Sequence, residues 1–527
     1  MKRMGIVAGG VVALAWLTFG LETPSAQLGG QMGPGPKVEK TFGKGLPRDA
    51  STLVFDDSAY PTWPLTPAQQ AYASISGARM KQQVRDLAAI AIRYRDEGHK
   101  WWGRLPGTSA DREGMAYMTK AFEALGLTVE RFPYTLPHDW RPTDWQASYT
   151  GTDGQAVELL TAFPIADTKA TGATPITADA VWVGIGAQAD FNGRDVKGKA
   201  VVIYSVFVPG GRSHSASDRA GLFDANSRAE ELGAAMIINV IGVPGNGQFQ
   251  PEGGIRGVPH FTLSMDEGFA LRERLDKGER VRVSFRLEVP ELRDVPTEYT
   301  IATLLGRSTD EELLVMTHTD GYFQAAMDNA AGMASALEIA RFYAQKPISE
   351  RPRTMKFIQF PDHHHGEVAR SRPKVGIDAT YPWNKVAVKL TMEHPSQTLL
   401  YMYNENLTPT NAVGAFRWNA LGSPAFEKMV FESLRDFGVS VYAMEDGPKN
   451  GNYAPSFHII DHVIYHTSLD VPELVPATGL ERATRAFAAV LDKANAMTMA
   501  ELRGPNFPPP SSRPPMGPRR RPVPRVP

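Results

Sequence analysis

Leu313-Leu314-Val315-Met316-Thr317-His318-Thr319-Asp320-Gly321, followed by Asp328-Asn329-Ala330-Ala331-Gly332, is the stretch on which the fold turns. Its opening apolar run has the length of a buried strand, and apolar positions recur at helical spacing from Met333 to Ala344. Strand, loop and helix in that order form the unit of a parallel sheet. The reading puts His318 at the carboxyl end of a strand and Asp328 at the mouth of a helix. In open α/β sheets ligands bind at that rim.

The same texture recurs outward from this point. Met355 to Phe360, Val386 to Met392 and His462 to Tyr465 read as strands. Ala71 to Glu97, Asp111 to Ala124, Pro424 to Phe437 and Leu480 to Ala494 read as helices. Their alternation predicts an α/β fold with a mostly parallel central sheet flanked by helices. Each strand-like run ends in residues able to bind a metal: His318, then Asp362-His363-His364-His365, then Glu393-His394, then His466. Four such ends on one rim are the bottom-up argument for a metal site. Three adjacent imidazoles alternate sides, so at most two of residues 363–365 face one site. Asp320 is expected to accept a hydrogen bond from the second ring nitrogen of His318 and fix the ring. Asp328 reads either as a carboxylate bridging two ions or as an ordinary helix cap. Asp470 is expected to orient His466 or to cap the turn after it.

Residues 150–290 differ. Short β-rich runs such as Ala180-Val181-Trp182-Val183 and Ala200-Val201-Val202-Ile203-Tyr204 dominate, and His214 and His260 are isolated. This block reads as a separate, non-catalytic domain inserted between 71–149 and 291–503.

Composition narrows the chemistry. At about 150 residues per domain, a chain of 527 residues holds two to four units. The net charge of −1 hides a basic leader and an Arg-rich tail around an acidic body, with no basic stripe interleaved with aromatics. Nucleic acid is therefore not the expected partner. Lys2-Arg3, the apolar run to Phe19 and the small residues at Ser25-Ala26 read as an export signal over 1–26. That predicts a periplasmic or extracellular protein with no stable membrane insertion once the leader is removed. Residues 27–70 form an N-terminal extension, and the Pro/Arg-rich 504–527 a disordered tail. There is no cysteine, which excludes disulfides, thiol nucleophiles and thiolate ligands. Any metal is left to His, Asp and Glu, which suits an open catalytic site.

Beyond these readings, the segment from His318 to Gly332 resembles metallopeptidase family twenty-eight, the secreted zinc aminopeptidases. That family carries His-x-Asp, then Asp-Asn-x-x-Gly opening a helix, a Glu-Glu pair after a strand, a further acidic ligand, and a Tyr/Phe-His-Thr. Here the matches are His318-Thr319-Asp320, Asp328-Asn329-Ala330-Ala331-Gly332 and Tyr465-His466-Thr467, with Arg353-Thr354-Met355-Lys356-Phe357 similar to the strand before the pair. Residues 150–290 resemble a protease-associated domain. The resemblance implies zinc, two ions bridged by Asp328 with one ion as the alternative. His318 and Glu393 complete one site, with Thr391 an alternative to Glu393. His466 and the second position of the Glu-Glu pair, here His364, complete the other. The chain departs from the family at the first Glu of the pair, the family's general base, which falls on His363. Glu367 is a substitute if its loop bends back.

The expected function is aminopeptidase-type hydrolysis of a peptide or small amide by metal-bound hydroxide. Two alternatives stand beside it: a catalytically impaired binding protein on a peptidase scaffold, and a single-zinc acyl transferase of the glutaminyl cyclase kind. Serine hydrolase, zincin and nucleotide-binding motifs are absent from the sequence.

Overall fold

The computed structural model describes residues 55–204, 225–250, 257–364, 381–403, 406–444, 454–460, 463–505 and 507. The leader, the Gly/Pro-rich stretch 29–36, His214, His365, Glu367, His462 and nearly all of the Pro/Arg-rich tail lie outside the described residues.

The main sheet has eight strands: β1 (Thr128–Asp139), β2 (Leu292–Leu304), β3 (Ser308–His318), β4 (Arg353–Phe360), β5 (Val386–Thr391), β6 (Phe416–Leu421), β7 (Val441–Met444) and β8 (Ser456–Ile460). Their spatial order is β7-β6-β8-β5-β3-β4-β2-β1. The middle is parallel: β3 pairs with β4 and β5, and β5 with β8. Towards the flanks β2 lies antiparallel between β4 and β1, and β6 is antiparallel to β8 while the outermost β7 pairs with β6 in parallel. Central strands covered on both faces read as continuous apolar runs, and Leu313 to Val315 are fully buried. The antiparallel β1 is mostly exposed or half-buried, with Tyr134, Leu136 and Asp139 buried, so it carries no continuous apolar run.

Leu313 and Val315 of β3 point into the core shared with α1 (Gly77–Asp96), α2 (Ser109–Ala124), α3 (Gly332–Ala344), α4 (Pro424–Asp436) and α5 (Ala477–Asn495). Leu314 and Met316 point the other way, into a cluster with Tyr134, Ile301, Ile358, Tyr381 and Trp383. Helix starts follow local chemistry: Ser76 accepts the Arg79 N–H ahead of α1, and Thr108 the Asp111 N–H ahead of α2. The last parallel strand lies earlier than the sequence suggested. It is Ser456–Ile460, paired with β6, whereas residues 463–466 form a turn.

A second eight-stranded sheet is built from residues 144–288. Gly172–Trp182, Ala200–Tyr204, Met236–Val240 and His260–Leu263 pair in parallel at its centre. The two sheets share one core. Phe163 stacks on Trp101 at 5.0 Å between ring centroids and packs against Phe323 at 5.0 Å. Among the described residues, no helix is long and apolar enough to cross a membrane.

Candidate metal centre

The site is assembled at the carboxyl ends of β3, β4 and β5 and in the turn after β8. Asn329 ties three of these pieces together. Its side-chain amide donates to Thr317 Oγ1 at 2.9 Å and to the Met392 carbonyl at 2.9 Å, and its Oδ1 accepts the Gly332 N–H at 3.1 Å. A Cβ on Gly332 would lie 2.1 Å from Asn329 Oδ1 and 2.6 Å from the Met392 carbonyl oxygen, so only glycine fits where α3 begins. Arg104 is buried beneath the loop and donates to the carbonyls of Leu87, Thr319, Gln324 and Ala325 at 3.0–3.2 Å. Burial draws its pKa down to about 10, still well above neutrality, so it stays a cation. Phe323, Ala325, His394 and His466 are non-glycine residues with φ between 46° and 61°. Left-handed backbone of this kind costs on the order of 1–3 kcal/mol each, and it persists where surrounding contacts over-determine it.

Asp328 is the centre. Its Oδ1 lies 3.2 Å from His318 Nε2 and 3.0 Å from His394 Nε2. Its Oδ2 lies 3.4 Å from His364 Nε2 and 3.1 Å from His466 Nε2. Yet His318 Nε2, His364 Nε2 and both Asp328 oxygens are buried without a hydrogen-bond partner. Burying such atoms unpaired is costly, so the arrangement calls for something between them. Two ligands held 2.0–2.2 Å from one tetrahedral ion sit about 3.3–3.6 Å apart, close to the separations seen. Ligand atoms of Asp328, His364 and His466 all lie within 4.8 Å of one another, as do those of His318, His363 and His364. By donor chemistry and spacing, the residues present fit a divalent metal.

The residues around this centre fix its rings. His318 Nδ1 donates to the main-chain carbonyl of Asp320 at 3.0 Å. The Asp320 carboxylate, expected to receive that proton, stands 3.3 Å from it and instead accepts the N–H groups of His363 and His364 at 3.2 and 2.9 Å. It also faces His364 Nδ1 at 3.1 Å. One carboxylate thereby organises imidazoles from β3 and β4, leaving each Nε2 for Asp328. Asp470 does not orient His466. Its carboxylate accepts the N–H groups of Met327 and Asp328 at 2.8 and 3.1 Å and so fixes the bridging loop. His466 Nδ1 faces the Gln250 carbonyl at 2.9 Å, from the stretch that builds the second sheet.

Electrostatics follow the same map. Burial disfavours charge on His318, but the Asp320 and Asp328 carboxylates outweigh it and raise its pKa to about 9. His364 is raised in the same way, and Asp320 and Asp328 are held well below the carboxylate range by the imidazoles. His363 behaves oppositely: burial, then the charge of His318, lower it to about 4. Its ring stacks on His318 at 4.4 Å. Burial raises Asp470 to about 7.

His318, Asp328, His364 and His466 are thus brought together, with Asp320 behind them and His363 beside them. Glu393 is not among the groups facing Asp328. It has no hydrogen bond or ion pair among the described residues; burial disfavours its charge, but the imidazoles of His363, His318, His394 and His458 outweigh that and lower its pKa to about 2. His394, its neighbour, is turned inward by its left-handed backbone and takes that place. Thr391 stays within β5, paired with Met316. Sequence reasoning singled out the Glu393-His394 strand end but took Glu393 as the ligand, and it missed Arg104 and the Gln250 carbonyl. Only His394 left a signal, as the second residue of a Glu-His pair at a strand end.

The model of peptidase family M28 matches residues 300–361, a span that holds His318-Thr319-Asp320 and Asp328 to Gly332 and ends two residues before His363. Solved structures are similar in fold over most of the chain. A peptidase M28 precursor from Shewanella amazonensis is 16% identical with a TM-score of 0.59, over 82% of this chain and 98% of its own. BSAP, a zinc aminopeptidase from Bacillus subtilis, is 16% identical with a TM-score of 0.54, over 81% and 98%. This is the M28 peptidase fold. An aminopeptidase from Aneurinibacillus sp. strain AM-1 is similar as well, at 16% identity and a TM-score of 0.51, over 83% of this chain and 97% of its own. No curated protein sequence matches the chain.

Proposed function

We propose that the chain is an exported metal-dependent peptidase that holds two divalent ions, most naturally zinc, about Asp328. The carrying observation is that each Asp328 oxygen faces two imidazole Nε2 atoms at 3.0–3.4 Å. Oδ2, His364 and His466 form one half of the site; Oδ1, His318 and His394 form the other. The residues between 150 and 290 serve as an inserted domain of the protease-associated type. Residues 1–26 serve as the leader.

When bound, divalent ions polarise a carbonyl and lower the pKa of water toward about 7. The chain's own residues do the rest. Asp328 holds the two halves in register, and Asp320 fixes His318 and His364 so that their Nε2 atoms point inward. His363 stands where the family places its general base. As a neutral imidazole it is able to accept a proton, and Glu393 beside it offsets the charge that would arise there. With its pKa near 4, His363 is a weak base, so turnover below that of a carboxylate-based relative is expected. That same weakness keeps open the second reading, a binding protein that holds metal without turnover.

Metal analysis of unheated, untagged protein beside a panel of peptide and amide substrates tests the proposal. The expected result is close to two equivalents of a divalent ion, with hydrolysis that a chelator abolishes and zinc restores. Metal-free protein overturns the reading. Metal bound without turnover of any substrate favours the binding protein.

A further inference from the structure

The inserted domain reaches the metal centre through its own backbone. Phe249 and Thr467 form an isolated antiparallel bridge. The Gln250 N–H donates to the His466 carbonyl at 3.0 Å, and the Ser468 N–H to the Gln248 carbonyl at 2.9 Å. Ser468 Oγ accepts the Gln248 N–H at 3.0 Å. Thr262 Oγ1, on the insert's strand His260–Leu263, donates to the Phe249 carbonyl at 2.7 Å and braces the segment from behind. Beneath the bridge, Ile241, Val243 and Phe249 of the insert bury against Ile464, Val471 and Leu474 of the main domain. Phe249 is among the largest fully buried side chains.

The Gln250 carbonyl lies 2.9 Å from His466 Nδ1. A carbonyl there requires the proton on Nδ1, and this leaves the Nε2 lone pair directed at Asp328 Oδ2, 3.1 Å away. A left-handed residue such as His466, with φ of 56°, needs this kind of external support to hold its position.

We infer that the inserted domain is a working part of the metal centre: its segment 248–250 selects the tautomer and fixes the direction of His466, and so sets the metal affinity of the half-site formed by Asp328, His364 and His466. The inference rests on the two-ion reading above. In the opposite half, His318 is oriented from Asp320 within the main domain, and among the described residues no hydrogen bond joins the insert to it. The insert therefore tunes one ion and not the other, and a displacement of the insert loosens one half-site selectively.

The test uses the full chain carrying Ser468→Ala, which removes one bond of the bridge, and Phe249→Ala, which removes its buried anchor. Circular dichroism establishes folding, and the two metal affinities are read by zinc titration against a chromophoric chelator. Loss of a partner that orients a ligand typically weakens binding by about 10–100-fold. The expected result is a loss of that size in one of the two binding steps, the other unchanged, with Phe249→Ala the larger. Wild-type protein with two ions and variants with both affinities unchanged, or both weakened alike, overturns this inference alone. Wild-type protein that binds no ion overturns the metal-site reading and this inference with it. Ser468→Ala folds on conservative grounds, so a failure of Phe249→Ala to fold leaves the titration decisive.

Discussion

Replacing His394 with alanine separates two accounts of the site that differ by one position in the chain. The structure turns His394 Nε2 to within 3.0 Å of Asp328 Oδ1, while Glu393 makes no hydrogen bond or ion pair among the described residues. A four-ligand zinc site is worth about 10–16 kcal/mol, so one protein ligand carries roughly 3–4 kcal/mol. At about 1.4 kcal/mol per decade, His394→Ala should weaken one ion by about 100–1,000-fold. The other ion, held through Oδ2 by His364 and His466, should change by less than about tenfold. Glu393→Gln removes no ligand and should keep both ions, while kcat falls by about 10–100-fold because the charge beside His363 is no longer offset. Chelator-competition titration gives the metal affinities, and turnover of zinc-saturated protein gives kcat. The reasoning is refuted if Glu393→Gln loses an ion while His394→Ala retains both.

Three further outcomes follow from the same geometry. In chelator-treated protein, stability should fall as pH rises from 6.5 to about 9. The pKa of His318 is raised from 6.5 to about 9, so its contribution, about 3 kcal/mol, is complete below 6.5 and gone above 9. His364 adds a contribution of the same sign, Asp470, raised to about 7, adds another that is spent by about pH 7, and Asp320 and Asp328 do not titrate in that window. Urea midpoints measured across the range check this, and added zinc should flatten the slope. Asp470→Ala should destabilise the protein by about 3 kcal/mol, because the N–H groups of Met327 and Asp328 lose their acceptor; thermal melts read it directly. Arg104→Met should cost at least about 4 kcal/mol in urea unfolding, since it leaves the carbonyls of Leu87, Thr319, Gln324 and Ala325 buried without their donor.

The parallel centre of the fold was legible because buried strands announce themselves locally. Leu313 to Val315 and Met355 to Phe360 are apolar runs with no competing period, and the helical spacing of 333–344 follows at once. The antiparallel flanks were harder to see. Leu292–Leu304 begins half-exposed, with Arg293 and Asp294 inside it, and its partner Thr128–Asp139 alternates polar and apolar residues with two prolines. Such strands take their form from pairing with each other along eleven register positions, a relation no window of sequence contains.

The site divides along the same line, between what a strand end dictates and what a loop's backbone decides. His318, Asp328 and His364 sit where a parallel strand or the helix after it must deliver them, so spacing was enough to single them out. Which of Glu393 and His394 turns inward depends on one φ angle of 46° after Met392, and composition carries no trace of it. The Met392 backbone is itself held from both sides, its N–H by the Met316 carbonyl and its own carbonyl by Asn329. With residue 392 pinned, the next two side chains cannot both face Asp328. An imidazole reaches further from its backbone than a carboxylate on a short stem, but Glu393 is no shorter than His394, so length does not decide the matter. The direction of the chain does. The same reasoning applies to His466, whose direction is set by a carbonyl 216 positions away in the chain. A site built this way has its ligands written in the sequence and its geometry written in the contacts between domains.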